Sequence, residues 1–351
     1  MADAMMITDI EKELKRLWDE NKHEKKIKAC LFTLIIYSTE CPRGEIIREV
    51  TQSLIQEYPC RIISIDERLS EKCLNVQVFQ HTTLEGESLI ACDRIQITAS
   101  QEYLQRIPFI VIPEIVPDLP VYMIWGSDVV KENPVLEELE KYATKIVFDA
   151  GSSASLTDFS KILYHKIGTV PYMLQDFHWV LTIGWRKCLF QTFSSEEGIN
   201  FLKAVTSMKI TFNDVLNQKE PLVEIIAWYL QAWLAGQLNW SLQAVQNRTI
   251  TYASQTGPIR VDLIPEISKK YTHGAILSIE IKNQSGETYL FIPLPEKDKV
   301  TVYITHQKHC EMPLIYPFTD LQRRYNFVRE LFFFGESPHY VKTLKQLAEV
   351  P

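Results

Sequence analysis

Two hydrophobic rhythms alternate along the first half of the chain. Ile10, Leu14 and Leu17 recur at helical spacing behind Thr8-x-x-Glu11, a capping box whose hydroxyl and carboxylate serve free backbone amides. ACLFTLIIY (29–37) is apolar nearly throughout, the mark of a strand covered on both faces. Residues 44–57 return to helical period through Ile47, Val50 and Leu54. Short strand patterns follow at CRIISI (60–65), LNVQVF (74–79), RIQIT (94–98), FIVI (109–112) and VYMIW (121–125). Asn133-Pro134 pairs a capping residue with a first-turn proline, and Leu136, Leu139 and Ala143 continue that helix. KIVFD (145–149) reads as a strand, and Thr157 opens a helix that buries Phe159, Ile162, Leu163 and Ile167. This alternation predicts an α/β layered domain with a partly parallel sheet.

In the second half, DFHWVLTIGWRKCLFQTF (176–193) reads as helical, and Glu220-Pro221 starts a further helix. Leu222, Ile225, Ile226, Tyr229, Leu230 and Trp233 form one apolar face of it, while Val223, Trp228 and Leu234 cover the other, so it is expected to be buried nearly all round. Beyond it the period falls to two. Leu277, Ile279 and Ile281 alternate with polar neighbours, as do Val300, Val302 and Ile304, and Ser285-Gly286 marks a hairpin turn. Helical segments at 318–333 and 338–349 end the pattern. The fold class expected is therefore α/β with two domains. Residues 1–170 form an N-terminal α/β domain, and 171–351 form a C-terminal α+β domain whose antiparallel sheet is packed by helices.

Charge supports the division. Residues 1–170 carry 19 basic and 27 acidic side chains, against 18 and 17 in 171–351, so the acidic surplus lies in the first half. The whole chain has 37 basic and 44 acidic residues, a balance that disfavours nucleic acid as a partner. Its apolar runs are shorter than the roughly 18–20 residues a bilayer needs, and its start lacks a secretory pattern. The seven cysteines are odd in number, scattered and without a C-x-x-C pair, which disfavours zinc ribbons and disulfide frameworks. The expectation is a soluble cytoplasmic protein with no membrane partner.

Common catalytic signatures are missing from the sequence: there is no G-x-G-x-x-G, P-loop, H-E-x-x-H or G-x-S-x-G string. The best local candidate for small-molecule binding is the strand-to-helix loop holding Asp149, Gly151, Ser152 and Ser153. Its amides and hydroxyls suit a phosphate, but it lacks a basic residue and Asp149 would repel an anion. HQKHC (306–310) offers two imidazoles and a thiol, but without a second ligand cluster these read as solvated loop residues, and no metal is expected. His178, inside an apolar helix, reads as a packed histidine. The seven tryptophans anchor either a core or an interface.

Longer strings carry a resemblance. IPFIVIPEIVPDLPVYMIWGSD (107–128) resembles a hallmark of the glucose-6-phosphate dehydrogenase assembly protein family, OpcA, through Pro117, Asp118, Leu119, Pro120 and Trp125. DFHWVLTIGWR (176–186) is similar to the family's D-x-x-W-x-x-x-x-x-W-R pattern through Asp176, Trp179, Trp185 and Arg186. KIVFDAGS (145–152) resembles its strand ending in Asp-Ser, with Ala150 in place of the serine. IIAWYLQAWLAGQLNW (225–240) is similar to its leucine/tryptophan helix end. The resemblance implies a non-enzymatic protein without cofactors that binds glucose-6-phosphate dehydrogenase, favours its active oligomer and raises its affinity for glucose 6-phosphate. NADPH supply would then be the process it adjusts. It also marks Asp118, Trp125, Asp176, Trp179, Trp185 and Arg186 as candidates for the partner interface or the domain junction. The competing reading is a sugar-phosphate sensor or enzyme built on the Asp149–Ser155 loop.

Overall fold

The computed structural model describes residues 10–20, 26–39, 54, 58–69, 72–85, 88–215, 223–307, 309–318, 328–329, 332 and 335–351. The capping Thr8, most of the helix expected at 44–57, Glu220-Pro221 and most of 318–333 lie outside them. The chain forms two units. The first comprises Met1–Ser152, Gly168–Asp176 and Val328–Gly335, and the second Ser153–Ile167, Phe177–Phe327 and Glu336–Pro351.

In the first unit the strands are β1 (Lys26–Lys28), β2 (Thr33–Thr39), β3 (Arg61–Arg68), β4 (Leu74–Glu85), β5 (Ser88–Ser100), β6 (Val121–Gly126), β7 (Lys145–Phe148) and β8 (Met173–Asp176). They lie in the order β1-β5-β3-β2-β6-β7-β8, with β4 on β5. Every described pairing is parallel except β4 with β5. Both faces of the central strands are covered. Leu34, Ile35, Ile63, Met123 and Ile146 are fully buried, which is why β2 reads as one apolar run. From β2 the chain winds outward through β3 to β5, then crosses back to β6 and winds the other way. The carboxyl ends of β2 and β6 therefore border the reversal point, where open α/β sheets form their crevice.

Its helices are α1 (Ile10–Glu20), α2 (Ile107–Val111) and α3 (Pro134–Leu139). Asn133 caps α3 by accepting from Val135 N at 2.9 Å, as its position before proline predicts. FIVI (109–112) is the correction. The strand expected there is helical: α2 runs to Val111 and Ile112 begins a 3-10 turn. Pro108 supplies the fixed φ of a first helical turn, and a four-residue apolar run has no periodicity of its own to oppose it.

The second unit places β9 (Val205–Asn213), β10 (Ser241–Gln246), β11 (Thr249–Ser254), β12 (Gly257–Glu266), β13 (Ile276–Asn283), β14 (Thr288–Leu294), β15 (Lys299–Thr305) and β16 (Leu314–Pro317) in one sheet. Its order is β10-β11-β12-β9-β13-β14-β15-β16, and only β12 with β9 is parallel among the described pairs. The helices of this unit are α4 (Leu156–Lys166), α5 (Phe177–Leu181), α6 (Ile183–Phe193), α7 (Glu196–Lys203), α8 (Ile225–Leu238) and α9 (Pro338–Ala348), and α8 packs on β9 and β12. The α4 helix begins earlier than Thr157 predicts, because Ser155 caps it by accepting from Asp158 N at 3.2 Å. Helix α8 is buried nearly all round, with Tyr229, Leu230, Gln231 and Ala232 fully enclosed, and the Tyr252 hydroxyl donates to the side-chain Oε1 of Gln231. That bond satisfies the acceptor of an amide that would otherwise be costly to bury. No described helix is long and apolar enough to cross a membrane.

Candidate functional site

The structure separates the candidates by burial. Trp125 is fully buried on β6 and stacks on Tyr37, its in-register neighbour on β2, with ring centroids 4.1 Å apart. Tyr37 donates its hydroxyl to Glu67 at 2.7 Å and accepts from Asn133 Nδ2 at 3.0 Å. Burial, then the nearby Glu67 charge, raises the Tyr37 phenol far above its ordinary range. Asp66 accepts from Ser38 at 2.9 Å and from Gln96 at 3.0 Å. The ends of β2, β3, β5 and β6 are thus tied to one another by their own side chains. Asp118 is exposed in the turn that follows α2, with a left-handed φ of 63° behind Pro117, a conformation aspartate tolerates better than most residues. Asp176 ends β8, fully buried and in register with Phe148.

Gly151 N donates to Asp149 Oδ1 at 3.1 Å, and Ser152 Oγ donates to Asp149 Oδ2 at 2.7 Å. These donors, which a phosphate would require, are taken by a buried carboxylate. Ser153 is fully buried, and its hydroxyl has no hydrogen-bond partner among the described residues.

The string that carries Trp179, Trp185 and Arg186 folds as α5 and α6. Trp179 is almost wholly enclosed and packs on Tyr340 at 5.3 Å. Trp185 is buried edge-on to Phe318 at 5.0 Å, on the wall of a cavity of about 380 Å³. Arg186 is half-buried. Its guanidinium lies 3.7 Å from the centroid of the Trp179 ring, and Nε donates to Thr182 Oγ1 at 2.9 Å. Stacking and a fixed hydrogen bond hold that cation in one place.

Arg186 also borders a second cavity of about 460 Å³, between α6, α7, α8 and α9. Phe190, Ile199, Leu202, Trp233 and Leu234 supply apolar walls, and Arg186, Lys187 and His339 supply its polar edge. None of the described lining residues is acidic. Phe190 is 69% exposed and Ile199 44% exposed, so apolar surface stands open to solvent there. Burial, with Arg186 and Lys342 nearby, lowers the affinity of His339 for a proton. The sequence names Arg186 as a candidate and carries no signal for Phe190, Ile199 or His339. They lie on three helices, and no local periodicity shows that those faces converge.

The buried thiols are not poised as nucleophiles. Burial raises Cys60 well above the ordinary thiol range, Cys92 to about 11 and Cys188 to about 12. Such groups stay protonated at neutral pH.

Residues 51–162 match the family model described as the glucose-6-phosphate dehydrogenase subunit N-terminal domain. Two similar proteins bear the name OxPP cycle protein OpcA. The one from Synechocystis sp. is 21% identical over 225 residues, 61% of this chain and 43% of its own length. The one from Synechococcus elongatus is 22% identical over 202 residues, 56% of this chain and 43% of its own length. The match therefore spans less than half of either relative. Among solved structures, a variant of KijD10, a 3-ketoreductase from Actinomadura kijaniata, covers 90% of this chain and 94% of its own at a TM-score of 0.51 and 8% identity. An oxidoreductase from Thermotoga maritima covers 90% and 93% at 0.50 and 10%. At such identities the likeness is one of fold.

KijD10 was solved with NADP. From the end of β2 the sequence reads Ser38-Thr39-Glu40-Cys41-Pro42-Arg43-Gly44, with one glycine where the dinucleotide turn uses three. The acidic residues closing β3, positioned to hold a ribose in such folds, are engaged by Tyr37, Ser38 and Gln96. These residues do not fit the cofactor. With the matches over residues 51–162 and the P-D-L-P and W-R strings together, the chain is similar in sequence to the OpcA-like glucose-6-phosphate dehydrogenase assembly proteins.

Proposed function

We propose that this protein is a non-catalytic, cytoplasmic binding partner of glucose-6-phosphate dehydrogenase that favours the enzyme's active oligomer and raises its affinity for glucose 6-phosphate. The observation that carries the reading is the family match over residues 51–162. The second unit adds a surface suited to the task. An apolar groove with an open phenylalanine and a stacked arginine at its edge has the anchor types that dominate protein interfaces. Its edge is basic within a chain of formal net charge −7, which favours an apolar segment of the dehydrogenase flanked by carboxylates. An activator of this kind works by binding one state of its enzyme better than another. A coupling of about 1–3 kcal/mol changes substrate affinity roughly 5- to 150-fold.

The test is steady-state kinetics of the same organism's dehydrogenase with and without an equimolar amount of this protein, paired with gel filtration of the mixture. A lower KM for glucose 6-phosphate with co-elution supports the reading. Unchanged kinetics with separate elution refutes it.

A further inference from the structure

Near the edge of the second unit's sheet, the turn after β15 gathers His306, His309 and Glu311 beside Glu287, a carboxylate from the start of the neighbouring strand. The β14–β15 register sets Thr288 opposite Thr305, which brings Glu287 beside His306. Glu287 Oε1 lies 3.0 Å from His306 Nδ1. Its other oxygen, Oε2, accepts from Asn283 Nδ2 at 3.0 Å. Asn283 is itself buried and bound to Glu287 N and the Ser285 hydroxyl. On the opposite side of the same ring, His306 Nε2 is 2.8 Å from Glu311 Oε1. The His309 ring stacks on His306 at 4.5 Å, and ligand atoms of His306, His309 and Glu311 all lie within 4.8 Å of one another.

A neutral imidazole has one N–H. If Nδ1–H donates to Glu287, the lone pair of Nε2 faces a carboxylate oxygen at contact distance, two acceptors with nothing between them. A cation resolves this conflict. A carboxylate on the remote nitrogen is the arrangement that orients metal-bound histidines and raises their basicity. We propose that His306 Nε2, His309 and Glu311 form a divalent-metal site, with Glu287 and Asn283 as its outer support and zinc as the ion this donor set suits. Two imidazoles and one carboxylate leave a fourth position for water in a tetrahedral shell. Zinc bonds of about 2 Å draw the donors closer than 4.8 Å, a movement that the exposed His309 and Glu311 side chains make by rotation. Cys310 lies outside the set, with its thiol 3.9 Å from Thr305 Oγ1.

The test uses the full chain without an affinity tag, cleared of metal by a chelator. Zinc is titrated by calorimetry, and cobalt(II) is followed by its visible absorption. One zinc per chain with micromolar or tighter affinity is expected, together with a cobalt spectrum of low-coordinate nitrogen and oxygen ligation. H309A and E311Q are expected to lose binding. E287Q is expected to weaken it 10- to 100-fold, as outer partners of metal ligands commonly do (about that range). C310S is expected to bind as wild type. H309A leaves both carboxylate contacts of His306 in place, and its thermal melt checks that it folds. The proposal is overturned if zinc does not bind at micromolar concentration, if H309A and E311Q bind as well as wild type, or if C310S abolishes uptake. In the first case His306 is held between its two carboxylates and does nothing more.

Discussion

Truncating Phe190 separates a docking role from a packing role. A fully buried phenylalanine cut to alanine costs about 3–5 kcal/mol of stability. Phe190 is 69% exposed, so only about a third of that contact exists in the protein alone, or about 1 kcal/mol. In a chain of 351 residues such a loss lowers Tm by roughly 1–2 °C. If the dehydrogenase covers the groove, the remaining two-thirds of the ring leaves water on binding. An anchor of this kind is worth at least about 2 kcal/mol, or roughly a 30-fold rise in Kd. The assay is a titration of the dehydrogenase with F190A, following apparent affinity for glucose 6-phosphate, with Kd measured in parallel. F79A is the matched control, since Phe79 is an exposed phenylalanine on β4 of the other unit. The reasoning fails if F190A activates within twofold of wild type, or if F79A weakens binding as much.

Other outcomes follow from the same packing. Y37F removes the donor to Glu67 and the acceptor for Asn133; a loss of about 1–3 kcal/mol in denaturant unfolding is expected, and an unchanged midpoint would contradict it. Asn239 ends α8 at φ 54°, so N239G is expected to leave Tm nearly unchanged and N239A to lower stability by about 1 kcal/mol in thermal melts. His339 holds its proton less tightly in the folded chain than its ordinary 6.5. The unfolded chain therefore takes up that proton first, and the stability His339 contributes is present above about pH 6.5 and lost as pH falls through the lower folded value. H339Q should flatten that part of a pH–stability profile. A thiol reagent is expected to modify the exposed Cys310 in the native protein but Cys60, Cys92 and Cys188 only after denaturation; rapid native labelling of Cys188 would contradict its burial.

Local signals were legible where one residue type decides the geometry. The apolar run of β2, the Asn133-Pro134 cap and the Ser285-Gly286 turn, with Gly286 at φ 78°, can all be read from neighbours in sequence. FIVI was misread because four apolar residues fit either period, and a proline one place earlier decided for helix. The short β8 strand carries Gln175 and Asp176 among its four residues, and its pattern merged with the helix that follows. Sites assembled from several elements were out of reach. Phe190 meets Trp233 and His339 across three helices, and Glu287 meets His306 only through the β14–β15 register. HQKHC reads as solvated loop in sequence for want of a second ligand cluster, and the approach of Glu287 to it is set by strand pairing alone.

The first unit is assembled from Met1–Ser152, Gly168–Asp176 and Val328–Gly335, with the second unit's segments threaded between them. That order bears on synthesis and inheritance. A ribosome delivers β2 to β7 early, but β8 emerges only after a helix belonging to the other unit, and the last piece follows some 150 residues later. The young sheet must wait with one edge unfinished while the second unit is made, an interval in which incomplete domains are exposed to misassembly and chaperone capture. No single cut releases either unit whole. Gene fragments that shuffle one without the other would break both, so the pair is transmitted as one heritable block.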